Sequence, residues 1–181
     1  MRDAMTDLVL TLIGPDRPGL VESVAERVTA HGGNWLESRM ARLAGQFAGI
    51  LLVEVPAESR EPLESALQSL EGQGLRVVVA GAKGAAAGET IAMELEAVGA
   101  DHPGIVRDIA RVLARHGVNI EELKTDRLSA PMSGGLLFRA QARLHVPSGM
   151  EVRRLREDLE RIANDLMVDL KLVQAVLGAK P

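Results

Sequence analysis

Residues 14–35 read GPDRPGLVESVAERVTAHGGNW, and residues 99–120 read GADHPGIVRDIARVLARHGVNI. The second stretch is the first displaced by 85 residues without a gap. Over Leu10–Arg39 against Leu95–Lys124, eleven of 30 positions are identical, and several of the others exchange one apolar residue for another. The fixed points are Gly14/Gly99, Asp16/Asp101, Pro18/Pro103, Gly19/Gly104, His31/His116, Gly32/Gly117 and Asn34/Asn119. A repeat of this length means two homologous domains rather than one. Residues 1–80 form the first and 90–181 the second. Residues 81–89 join them, and their run Gly81-Ala82-Lys83-Gly84-Ala85-Ala86-Ala87-Gly88 has the small-residue composition of a linker.

Each copy carries the same order of elements. Leu8, Leu10 and Leu12 alternate with other residues, the pattern of a strand with one buried face. Pro18 cannot continue a strand ladder and suits a helix start, where Asp16 can accept the free amide hydrogens of the first turn. Leu20, Val21, Val24, Ala25 and Val28 then recur at helical spacing until Gly32, a candidate left-handed cap. A strand from Asn34, a turn at Ala44-Gly45-Gln46 and a strand over Phe47–Val55 make a hairpin. Pro56 stops that strand. Glu61–Leu70 is an amphipathic helix and Leu75–Ala80 the last strand. The second copy repeats this with strands at Ile91–Val98, Asn119–Leu128, Leu136–Val146 and Val168–Ala175. Its hairpin has a longer tip, Ser129–Gly134. Val152, Leu155, Leu159, Ile162 and Leu166 stripe its second helix. The order βαββαβ, twice, is α+β: a ferredoxin-like four-stranded antiparallel sheet with two helices on one face.

Composition limits function. The 181 residues are 46% hydrophobic and 2% aromatic, so base-stacking platforms are disfavoured. The net charge of -4 comes entirely from residues 1–80, which hold 7 basic and 11 acidic side chains against 14 and 14 in residues 81–181. Neither half has the basic field that phosphate-backbone binding requires, so direct nucleic-acid contact is not expected. Without Cys there is no disulfide, thiolate metal site or Cys nucleophile. No secretory signal and no run of about 18 apolar residues is visible, so a cytoplasmic protein is expected.

The Gly-x-Asp-x-Pro-Gly turn supports two readings. A helix N-terminus offers free amides and partial positive charge that can hold a carboxylate, and glycine lets a ligand approach the backbone. The same residues also make a tight turn and cap a helix. Asn34 and Asn119 can read an amino group or a carboxylate, or can serve turn chemistry beside glycine. His31 and His116 complement the dipole of the helix they end. His102 replaces Arg17, and no His pair has metal-ligand spacing. No nucleophile elbow or catalytic set emerges, so no cofactor, metal or enzymatic activity is expected. At matched helix positions Glu22 and Glu26 become Arg107 and Arg111, which gives the two copies different outer surfaces.

Tandem βαββαβ units with Asp16-Arg17-Pro18-Gly19 and His31-Gly32-Gly33-Asn34, and again Asp101-His102-Pro103-Gly104 and His116-Gly117-Val118-Asn119, resemble ACT domains over about residues 6–178. Two such units and little else look like the glycine cleavage system transcriptional repressor family. The stretches LIGPDRPGLV, NWLESRMARLAGQFAGILLVEV and HGVNIEELKTD carry that likeness. Similar units precede catalytic domains in formyltetrahydrofolate deformylases and phosphoserine phosphatases, and none follows here. The resemblance implies an amino-acid ligand bound at ACT interfaces. Asp16, Arg17, Pro18, Gly19, Leu20 and Asn34 would line one site, and Asp101, His102, Pro103, Gly104, Ile105 and Asn119 the other. Amides near Gly19 and Leu20 would hold the ligand carboxylate, and Asn34 would position it. Arg17 against His102 and Trp35 against Ile120 imply that the two sites are not equivalent. The resemblance also implies a homo-oligomer, and action through a DNA-binding activator protein rather than on operator DNA. The alternative is a regulatory subunit or oligomerisation module of a metabolic enzyme.

Overall fold

A computed structural model describes residues 4–82, 88–129 and 135–175. Most of the linker (83–87) and of the second hairpin tip (130–134) lies outside the described residues. The chain divides into two compact units between residues 85 and 86.

The first unit runs β1 (Met5–Pro15), α1 (Leu20–Ala30), β2 (Asn34–Leu43), β3 (Gln46–Pro56), α2 (Arg60–Gln68) and β4 (Arg76–Gly81). A 3-10 turn over Ser69–Gln73 extends α2. The second runs β5 (Thr90–Ala100), α3 (Ile105–Arg115), β6 (Asn119–Ser129), β7 (Leu136–Pro147), α4 (Val152–Leu166) and β8 (Val168–Gln174). Sheet orders are β2-β3-β1-β4 and β6-β7-β5-β8, every pairing antiparallel. This is the βαββαβ ferredoxin-like fold, present twice.

Period-two alternation decides which sheet face is buried. Leu8, Leu10 and Leu12 of β1 and Leu51, Val53 and Val55 of β3 are fully covered, and they share one core with Leu20, Val24 and Val28 of α1 and Leu63 and Leu67 of α2. Both helices therefore cover the same face. The hairpin between β2 and β3 turns on Ala44 (φ 48) and Gly45 (φ 80), both left-handed, the conformation of a two-residue turn that matches strand twist. The edge strands β2 and β6 carry a bulge at the matched place, between Trp35 and Glu37 and between Ile120 and Glu122. The α helix of residues 60–68 ends two residues short of the expected Leu70, because the chain tightens into the 3-10 turn that buries Leu70.

The two cores fill similar space differently. Leu12 and Leu51 of the first sheet are matched by Ala97 and Ala142 in the second, all buried. In compensation, Val24 and Val28 of α1 become Ile109 and Leu113 of α3, and Arg27 becomes the buried Val112. The first core places its bulk on the sheet, and the second places more of it on the helix.

Candidate functional site

In both units the strand-to-helix turn is built by the same four devices. The first is close approach. A Cβ on Gly14 would stand 2.5 Å from the Gly74 carbonyl oxygen, and one on Gly99 would stand 2.7 Å from the Met167 carbonyl oxygen. The motif's leading glycine therefore exists so that the last strand can start against the first. The second is the left-handed backbone of Gly19 (φ 88) and Gly104 (φ 104), which open α1 and α3.

The third device is an ion pair. Asp16 and Asp101 do not cap their helices, since neither helix has a side-chain cap. This differs from the sequence expectation, and the reason is that a hairpin arginine claims each carboxylate. Arg42 Nε lies 2.6 Å from Asp16 Oδ2, and Arg127 Nε lies 2.8 Å from Asp101 Oδ2. The amides of Asp16 and Asp101 donate to the Gly45 and Leu136 carbonyls at 2.9 and 3.0 Å. Sequence reasoning missed Arg42 and Arg127. The signal was present, because the 85-residue register continues through Arg42-Leu43 and Arg127-Leu128.

The fourth device ties the loop to the far end of the second helix. The Arg17 guanidinium donates to the Gln73 carbonyl, and His102 Nε2 lies 2.8 Å from the Leu166 carbonyl oxygen. Arg17 and His102 thus do the same work, although their difference suggested non-equivalent loops. His102 Nδ1 also faces the Pro103 carbonyl at 3.1 Å. Both ring nitrogens meet acceptors, an arrangement that only the imidazolium form satisfies. The Leu166 carbonyl, then that of Pro103, hold the His102 pKa above its ordinary value.

These contacts leave the first-turn amides of α1 and α3 without a side-chain acceptor. Such amides, at the positive end of a helix, can hold a carboxylate. The surroundings differ. Glu22 reaches to 3.9 Å from where a Gly19 Cβ would be, whereas the Arg107 guanidinium reaches to 3.1 Å from that point on Gly104. Arg107 bonds Asp108 at 2.8 Å and holds that carboxyl below its usual range. Arg111 stands 3.9 Å from the same carboxylate. An incoming carboxylate meets a lone acid at the first turn and a neutral Arg–Asp pair at the second. Pro18 and Pro103 lie exposed on the loops, while Leu20 and Ile105 point into the cores at 5% and 2% exposure.

Asn34 and Asn119 do not join these loops within a unit. Asn34 is level with Glu54, which pairs with Asp7; Asn119 is level with His145, which pairs with Ala92. Each asparagine is thus eight strand residues from the end of the first strand, roughly 26 Å at about 3.3 Å per residue. The repeated histidines at the α1 and α3 C-termini also diverge. His31 Nδ1 bonds the Arg27 carbonyl at 2.7 Å, as a helix-end residue would, but His116 Nε2 bonds Asp158 of α4 at 2.8 Å and holds that carboxyl low. His145, without a partner motif in the sequence, lies 3.1 Å from Glu121 and 3.2 Å from Thr90 Oγ1. Among the described residues no group of three or more His, Asp or Glu converges on a metal position, and no helix is long and apolar enough to cross a membrane.

Comparison with known proteins agrees with this fold. The glycine cleavage system transcriptional repressor of Escherichia coli K12 is 24% identical over 162 residues, covering 88% of this chain and 85% of that protein. The crystal structure of an unknown protein from Galdieria sulphuraria is 33% identical, covers 96% of this chain and 100% of that one, and superposes with a TM-score of 0.86. A structure provisionally called a glycine cleavage system transcriptional repressor, 22% identical over 94% of this chain and 99% of that one, has the same fold with a TM-score of 0.67. The sequence profile of the ACT domain matches residues 6–80 and again 95–173. With the profile on each βαββαβ unit and the paired loops built alike, the chain belongs to the ACT domain family, as two units in tandem.

Proposed function

We propose that this chain is a non-catalytic, cytoplasmic regulator that binds an amino acid through its ACT units and controls transcription through a protein partner. The observation that carries the reading is similarity along nearly the whole chain to a repressor of the same extent. The neutral-to-acidic charge fits action through a protein rather than on DNA.

The ligand carboxylate would sit on the first-turn amides. The second unit is the better site, because Arg107 and Asp108 neutralise each other where the first unit places Glu22. An asparagine takes part only if a second ACT unit brings its helix-to-strand junction against the loop, since Asn34 and Asn119 lie at the far end of their own sheets. Binding would bias the arrangement of units by its differential affinity for two states. Calorimetric titration with glycine, serine and the other amino acids tests the reading. One of them is expected to release heat and raise the melting temperature, and Arg107→Glu should weaken that binding. Neither heat nor a thermal shift with any amino acid removes the sensing role.

A further inference from the structure

Each sheet carries a groove on the face turned away from its helices, and the two grooves lie at matched positions. In the first unit a groove of about 190 Å³ is lined by Val9 of β1, Ile50 and Leu52 of β3, and Glu37 and Arg39 of β2. In the second a groove of about 340 Å³ is lined by Glu94 of β5, Gln141 and Arg143 of β7, and Glu122 and Lys124 of β6. The strand pairing sets the match. Leu52 stands between Glu37 and Val9, and Arg143 stands between Glu122 and Glu94.

Both grooves depend on the edge-strand bulges. Trp35 is level with Val53 and packs on the core, and strict alternation would send residues 37 and 39 to that side too. The extra residue reverses the alternation, so Glu37 and Arg39 come level with Leu52 and Ile50 on the open face. Ile120, Glu122 and Lys124 repeat this in the second unit. Re-aiming a side chain beside a site is a recurrent use of a bulge. In both units the bulge aims an acid and, two residues on, a base, whereas the floor changes from apolar to charged. The rim thus keeps its chemistry while the floor does not.

Rim and floor together define a ligand. Arg39 Nη2 lies 3.4 Å from Glu37 Oε1, longer than the ~2.7–2.9 Å of a tight ionic hydrogen bond. This loose pair can open onto a zwitterion, with Glu37 accepting from an ammonium group and Arg39 donating to a carboxylate. The floor of Val9, Ile50 and Leu52 then covers a short aliphatic group, and Ile50, 50% exposed, gains burial. The volume is below the roughly 300–1,000 Å³ of drug-sized sites, so the ligand is small.

We infer that the groove of the first sheet binds a zwitterion with a short aliphatic side chain, the chemistry of valine or leucine, at a site separate from the helix-end amides. In the second unit the same side chain would bury Glu94 and Arg143, so that groove rejects it. The inference uses neither loop nor asparagine, so its failure and that of carboxylate binding at the loops are distinguishable.

Calorimetric titration and amide resonance mapping of the full chain with leucine test it. Leucine is expected to release heat and to shift the amides of residues 37–39 and 50–52. Affinity should rise about fourfold per added carbon from alanine through valine to leucine. Leu52→Arg and Ile50→Gln each carry in the residue that the second sheet already holds, and each should weaken leucine about tenfold or more. Arg39→Gln should do the same through the carboxylate, and Arg107→Glu should leave leucine affinity in place. A chain that binds no leucine overturns the inference. So do amide shifts confined to the two loops, affinity that does not rise from alanine to leucine, or leucine binding that survives both floor substitutions.

Discussion

Gly14→Ala separates the two readings of the loop motif. Gly14 needs no left-handed backbone, so an added methyl group acts only through space. Its Cβ would lie 2.5 Å from the Gly74 carbonyl oxygen and 3.2 Å from the Leu75 Cα. Both are backbone atoms, so β4 must retreat by most of an ångström, and its ladder with β1 retreats with it. Overpacking of this kind costs about 1–3 kcal/mol, and the stiffer unfolded chain returns about 0.4–1 kcal/mol. The net loss is about 1–2 kcal/mol, or roughly 4–16 °C in melting temperature for a unit of this size. Gly72→Ala is the control, because a Cβ there meets nothing within 4 Å. Thermal and urea unfolding of both variants, followed by circular dichroism, reads the difference. Gly14→Ala should retain amino-acid affinity at temperatures where it is folded. If Gly14→Ala proves as stable as Gly72→Ala, the close-approach argument is wrong, and the motif's first glycine needs another explanation.

Three further outcomes follow from the contacts. The His116 bond lowers the Asp158 pKa, so this carboxylate stabilises the fold above the unfolded carboxylate value and loses that effect as pH falls through its folded value. Asp158→Asn should therefore cost stability at pH 6 and little at pH 3 in parallel urea melts; an equal cost at both would refute the pairing. His102 has a raised pKa, so its contribution is full below about pH 6.5 and is lost as pH rises through the folded value. Its imidazole proton resonances should titrate above about 6.5, and His102→Arg, which imitates Arg17, should remove the pH dependence. Arg127→Ala breaks an exposed ion pair worth about 0.2–1 kcal/mol. Global stability should barely move, while hydrogen exchange at the amides of Asp101, His102, Gly104 and Ile105 quickens several-fold.

The fold was legible because its signals are local and doubled. Leu8, Leu10 and Leu12 mark a strand, Val24 and Val28 a helix, and the 85-residue register repeats both, so a chance pattern in one copy is checked by the other. Residues whose roles depend on what lies across the sheet were not legible. The carboxylates of Asp16 and Asp101 looked like caps because the loop alone was in view, and their arginines arrive from the hairpin 26 residues later. The asparagines looked like site partners because the resemblance sets each beside its Asp-x-Pro-Gly loop, yet the 14 residues between run the length of a helix and carry them to the other end of the sheet. Arg17 and His102 looked unlike because side-chain chemistry differs, while the carbonyl each meets is a backbone group that sequence cannot display. The bulges at residues 35–37 and 120–122 left no mark, since one extra residue in an exposed edge strand breaks no apolar rhythm.

The opposite distribution of bulk in the two cores bears on how a duplicated chain finds its own partners. Two sheets of one topology on one polypeptide invite exchange, in which β5 completes the first sheet or β1 the second. The first exchange would put Ala97 where Leu12 belongs, leaving a cavity of the kind that costs about 2–5 kcal/mol. The second would put Leu12 where Ala97 stands, adding bulk to a core whose helix already carries Ile109 and Leu113. Each half thus rejects the other's strand by volume, so the chain sorts self from near-self as it folds, and the repeat escapes misassembly without any difference in topology.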